Sequence, residues 1–164
     1  MSLANRNDLP AIMALEAGGF ERGRWSEESW RSELVQCRPT GGCAPLAPPD
    51  HAVYVRRDPQ GRPVAVVALS QADDVAELLR LIVQPERRRQ GLGRDLVDQA
   101  LAWAELHDLK RVLLEVAADN TTAIALYRRA GFQVIARRAG YYDPDVDALV
   151  MERRLTAERG GDDG

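Results

Sequence analysis

The segment Arg88-Arg89-Gln90-Gly91-Leu92-Gly93-Arg94 constrains this chain more than any other. It follows a strand-like apolar run, Val75 to Val83, and opens a helix pattern with Leu92, Leu96, Val97, Ala100, Leu101 and Ala104 on one face. Glycines let a backbone turn tightly and approach a ligand closely. Free N–H groups at a helix N-terminus, with the helix dipole behind them, favour an anion such as phosphate or pyrophosphate. Three readings of the loop stay open. A Rossmann loop requires G-x-G-x-x-G, and Leu96 stands where the third glycine belongs. A P-loop requires Gly-Lys-Ser/Thr, a triplet this chain lacks. The plain alternative is a strand–helix turn carrying solvated arginines.

The rest of the chain supplies a mixed α/β order. Asp8-Leu9-Pro10 predicts a helix start with Asp8 as N-cap, continuing through Ile12, Leu15 and Glu16 to a stop at Gly18-Gly19. Ser26, with Glu27 and Glu28 behind it, starts a second helix whose apolar stripe is Trp30, Leu34 and Val35. Residues 38–50 are rich in Pro and Gly and read as a loop. Strands follow around Ala52 and Tyr54, at Val64 to Leu69 and at Val75 to Val83, with a turn at Asp58-Pro59-Gln60-Gly61. After the central helix come a strand, Arg111 to Ala117, and a short helix capped by Asn120, with Gly131 at its C′ position. Phe132 to Arg138 and Ala148 to Arg154 are the last two strands. Only Ser2-Leu3-Ala4 is available for a strand before the first helix, so that strand is short, altered or absent.

With 164 residues, one domain over 1–155 is expected, followed by a disordered tail at 156–164. The net charge of −3 argues against bulk nucleic-acid binding. No apolar run is long enough to span a bilayer, and Met1 to Pro10 is too polar for a signal peptide, so a cytoplasmic location without membrane contact is expected. Cys37 and Cys43 match no common zinc spacing and read as incidental thiols; no metal is expected.

The run 81–94, with R-x-x-G-x-G after a Val-x-Pro strand end, resembles the coenzyme A loop of the GNAT acetyltransferases. The resemblance implies the GNAT fold: a mixed, mostly antiparallel sheet flanked by helices, with a splayed strand pair at the cofactor site. It implies acetyl-CoA as cofactor. The amides of 88–94 hold the pyrophosphate, the backbone of Leu81, Ile82 and Val83 runs beside the pantetheine, and an amide near Val83 polarises the thioester carbonyl. Leu114-Glu115-Val116, Asn120, Ala123 to Tyr127 and Ala130-Gly131-Phe132 narrow the resemblance to RimI-type ribosomal-protein alanine N-acetyltransferases. Trp25-Ser26-Glu27 and Arg138-Ala139-Gly140-Tyr141-Tyr142 agree with it. Arg24, in place of the usual proline, the weak first strand and the 38–50 insertion depart from it.

Acyl transfer to an amine requires an uncharged nucleophile, a polarised thioester and a proton for the leaving thiolate. Glu115 is the only charge within Val112 to Val116. The resemblance makes it the general base; the alternative is a carboxylate held in an ion pair. Tyr127 becomes the general acid by the same comparison, or else a core tyrosine. Asn120 caps its helix and, by resemblance, also bonds the pantetheine. Trp25, Tyr141 and Tyr142 stand in segments that flank the acceptor in this family; Glu27, Glu28, Asp143, Asp145 and Asp147 offer a rim for a basic peptide. The alternative is that Trp25 anchors its helix and the acids are solvated. The implied acceptor is a protein N-terminus, the alanine of a small-subunit ribosomal protein. Lysines, a small amine, and a non-catalytic coenzyme-binding role are the alternatives. An α-amine titrates near 8 and a lysine near 10.4, so at pH 7 the lysine must yield its proton at an extra cost of about 3–4 kcal/mol.

Overall fold

The computed structural model describes residues 1–36 and 50–155. Cys37, Cys43, most of the 38–50 loop and the 156–164 tail lie outside the described residues, as do the side chains of Tyr142 and Asp143. The strands are β1 (Ser2–Leu3), β2 (His51–Arg57), β3 (Pro63–Ala72), β4 (Val75–Val83), β5 (Arg111–Ala117), β6 (Gln133–Asp143) and β7 (Val146–Arg154). The helices are α1 (Leu9–Gly19), α2 (Glu27–Gln36), α3 (Leu92–Leu106) and α4 (Thr121–Arg129). The sheet order is β1-β2-β3-β4-β5-β7-β6, antiparallel except for the parallel β4–β5 pair. The first strand is therefore present and short, pairing Ser2 with Val55 and Leu3 with Tyr54.

Helices cover both faces. Ile12, Leu15, Trp30 and Leu34 pack on Val53, Val55, Val66 and Ile82. On the other face, α3 and α4 pack on Val67, Leu69, Leu78, Val112, Leu114 and Val116. β3 lies beneath helices on both sides, so its run from Val64 to Leu69 is buried throughout rather than alternating. Val35 departs from its expected place in the α2 stripe: it is solvent-exposed, because the buried face of α2 is the Trp30–Leu34 line.

Asp8 occupies the predicted N-cap position of α1, but its side chain makes no cap hydrogen bond there. It accepts instead from the Asn5 amide (2.8 Å) and from both terminal nitrogens of Arg57 (2.7 and 2.8 Å). The Arg57 fork holds the Asp8 carboxyl below its ordinary range. A depressed carboxylate stabilises the fold fully above its unfolded pKa of about 3.9 and loses that contribution as pH falls through the folded value. The stability gap between wild type and Asp8→Asn should therefore shrink in unfolding titrations below about pH 4. A pH-independent gap would remove Asp8 from the acid response.

The last hairpin is longer than expected. Asp147 accepts from Arg137 (2.5 Å) and from the Gly140 amide (3.0 Å), which pins the irregular stretch between Arg138 and Asp143 and lets both strands run on to the turn.

Candidate active site

Strands β4 and β5 pair only from Val75↔Arg111 to Leu78↔Leu114, then part. A bulge sits at the fork: Ala68 of β3 faces Arg80 and Leu69 faces Leu78, leaving Leu79 as the extra residue. Beyond it, β4 stays paired with β3 and turns its other edge to open space. The Gln84 amide donates to Val64 on β3 at 2.9 Å. Successive strand amides point to opposite edges, so the Val83 N–H points into the fork.

A cleft of about 940 Å³ opens there. It is lined by Leu81, Ile82 and Val83 of β4, by Arg88, Arg89, Gly91, Leu92, Gly93 and Arg94, and by Asn120. The structure thus gathers nearly all the sequence-predicted cofactor residues around one space. Gln90 and Tyr127 are not among its lining residues. Gly91 is the N-cap of α3 at φ +84°, a left-handed conformation that side chains resist, and no side chain caps this helix end. The first return bond of α3 is Asp95 N–H to the Gly91 carbonyl at 3.0 Å, so the preceding amides face the cleft mouth for an anion. A Cβ on Gly93 would stand 3.1 Å from Leu126, which explains the second glycine by the approach of α3 to α4. Arginines 87, 88, 89, 94 and 129 surround the same end.

Residues that sequence reasoning missed form the opposite wall: Ala17, Gly18, Gly19, Phe20, Glu21 and Arg24, from the end of α1 onward. A Cβ on Gly19 would lie 2.5 Å from Ile82 Cγ2, so α1 meets β4 at this point only as glycine. The doubled glycine was the available signal, since one suffices to end a helix.

Asn120 caps α4 as expected, its Oδ1 accepting from the Ala123 amide at 3.1 Å. The α4 end is closed by Gly131 at φ +87°, with Gly131 N–H to Arg128 and Phe132 N–H to Tyr127, both 3.0 Å. Tyr127 is buried, its ring edge-on to Phe132 at 5.9 Å between centroids. Glu115 lies just past the last β4–β5 pair. Val112, Leu114 and Val116 face α3 and α4, so Glu115 faces the α1 side. Its Oε1 pairs with Arg138 at 3.0 Å.

The proposed acceptor residues are less uniform. Trp25 packs on Trp30 with centroids 4.9 Å apart and donates its amide to Glu16 at 3.0 Å, so it does anchor the entry to α2. Tyr141 is half exposed, with the Arg138 guanidinium 5.6 Å from its ring. Of the acidic rim, Glu27 pairs with Arg31 and Asp147 with Arg137. Asp145 and Glu28 remain exposed.

Residues 11–132 match the family model described as Acetyltransferase (GNAT) family. The chain is 38% identical over 96 residues to the ribosomal protein bS18-alanine N-acetyltransferase of Escherichia coli strain K12. That match covers 56% of this chain and 65% of the enzyme, just under two thirds of its length. A Bacillus subtilis relative, provisionally given the same name, is 28% identical over 145 residues, 88% of this chain and 87% of its own. The crystal structure of the ribosomal-protein-S18-alanine N-acetyltransferase from Escherichia coli superposes with a TM-score of 0.79 at 28% identity, covering 96% of each chain.

Proposed function

The chain belongs to the GNAT acetyltransferase family, and we propose that it transfers the acetyl group of acetyl-CoA to the α-amine of a protein N-terminus. The N-terminal alanine of a small-subunit ribosomal protein is the acceptor its named relatives favour. The carrying observation is the fork between β4 and β5, which joins an uncapped helix N-terminus to an unpaired strand edge in one cleft.

The glycine pair and the unbonded amides of α3 fit a pyrophosphate. The free edge of Leu81, Ile82 and Val83 offers backbone bonds to the pantetheine amides, and Asn120 borders the same space. The coenzyme supplies a thioester: the amine's N–C bond forms as the C–S bond breaks. Of the amides on that edge, Leu81, beside the bulge and farthest from the pyrophosphate loop, polarises the carbonyl oxygen in place of the Val83 amide that the resemblance implies, leaving Val83 to the pantetheine. Glu115 takes the ammonium proton from the α1 face, directly or through water, Tyr127 protonates the departing thiolate from the α4 face, and the second proton the nitrogen sheds as the amide forms passes through solvent to the Tyr127 phenolate. Trp25, Tyr141 and Tyr142 would border the incoming peptide.

The test is thiol release from acetyl-CoA with a short Ala-initiated peptide, beside the same peptide blocked at its N-terminus and one offering only an internal lysine. Release with the first alone is the expected result. Release with the lysine peptide would move the acceptor to side-chain amines, and no release with any would sink the reading. Gly91→Val and Gly93→Val should each weaken acetyl-CoA by at least about tenfold in calorimetry, roughly 1.4 kcal/mol. Unchanged affinity in both would refute the placement of the pyrophosphate.

A further inference from the structure

A buried ion pair that the chemistry above does not use lies beneath the loop joining α1 to α2. Glu16 is 1% exposed and Arg80 9%. Glu16 Oε1 accepts from the Trp25 amide at 3.0 Å and from an Arg80 terminal nitrogen. Its Oε2 accepts from Trp30 Nε1 at 3.0 Å and Arg80 Nε at 3.3 Å. Arg80 donates further to the Gly23 carbonyl at 3.0 Å, and its guanidinium lies 3.7 Å from the centroid of the Phe20 ring. One ion pair thus holds the loop at its beginning, middle and end.

The position of the pair matters as much as its bonding. Arg80 flanks the bulge at the fork. Along the chain, the pyrophosphate loop comes after Val83 and Arg80 before Leu81, so Arg80 sits at the far, thioester end of the coenzyme track. Glu115 faces the same α1 side of the sheet. Arg22, within the loop, pairs with Asp119 at 3.3 Å, just after β5. The loop is therefore tied to β4 on one side and to the turn after β5 on the other, bridging the fork where an amine must enter. Stability alone does not account for such a pair, because apolar residues of similar volume commonly replace buried ion pairs without loss. What it supplies is directional bonding to the loop backbone.

We propose that Glu16 and Arg80 are positioning residues for the acceptor: they preform loop 20–25 as the acceptor's wall beside the thioester. This rests on the acyl-transfer reading above. The test compares wild type, Arg80→Lys, and the double variant Glu16→Gln/Arg80→Met in steady-state kinetics with acetyl-CoA and the Ala-initiated peptide. The double variant buries no charge and keeps an acceptor for the Trp25 amide. Its KM for peptide should rise tenfold or more, and at least fivefold more than its KM for acetyl-CoA, whose cleft Phe20, Glu21 and Arg24 also line. Arg80→Lys keeps the charge but cannot reach Glu16 and Gly23 together, and should raise peptide KM to an intermediate value; should the double variant fail to fold, this split decides. Unchanged peptide KM, or equal rises in both KM values, would overturn the proposal while leaving the activity standing. A wild type that transfers nothing to the peptide would overturn both.

Discussion

Tyr127→Phe should lower kcat by about 10²–10⁴-fold while leaving acetyl-CoA affinity near that of the wild type. The ring is buried and set edge-on to Phe132, so phenylalanine keeps the packing and removes only the hydroxyl. That hydroxyl acts as the thiolate departs, so its loss falls on the transition state and not on ground-state binding. Phenol and thiol have reference pKa values of about 10 and 8.5, close enough for transfer between them. The measurement must be made where chemistry limits the rate, by single turnover with bound coenzyme. A single-turnover rate equal to wild type would leave Tyr127 as a core residue.

The loop and helix start proposed to hold the coenzyme were legible because their physics is local. Gly91 and Gly93 are required by a left-handed cap and by the approach of Leu126, and both demands fall within one strand–loop–helix segment. The α4 caps were legible for the same reason: Asn120 and Gly131 act on amides and carbonyls a few residues away. Asp8 shows the limit of that reasoning. Its position at a helix start was right, but a two-bonded arginine 49 residues away claims its carboxylate, and no local pattern announces that partner.

The side proposed for the acceptor is built from such distant pairings. Glu16 sits at an apolar position of α1, and Arg80 interrupts the run Leu78 to Val83. Each is conspicuous as a charge where burial is expected, yet only the fold makes them partners, 64 residues apart. The same holds for the acids offered as a rim: Asp147 is consumed by Arg137 and the Gly140 amide. Aromatic and acidic residues near one another in sequence predicted a surface, while their hydrogen bonds assign part of that surface to holding the hairpin and the α2 entry in place.

Glu115→Gln separates the two readings of this carboxylate, because they differ in pH dependence. The structure pairs Glu115 Oε1 with Arg138, and glutamine can still accept one hydrogen bond from that guanidinium. If the carboxylate only oriented Arg138, the variant would lose activity by a similar factor at every pH. As the general base, its loss matters most where the acceptor is protonated. At pH 7 roughly a tenth of α-amines are neutral, whereas above about pH 9 most are. Glu115→Gln should therefore lower kcat/KM for the peptide by about 10²–10⁴-fold at pH 7, with the deficit shrinking by up to about tenfold as pH rises past the amine's own pKa near 8. The lysine peptide extends the same logic: any residual transfer to it should recover only above about pH 10. A deficit that stays constant from pH 7 to 9.5 would assign Glu115 to the Arg138 ion pair and move the base elsewhere in the fork.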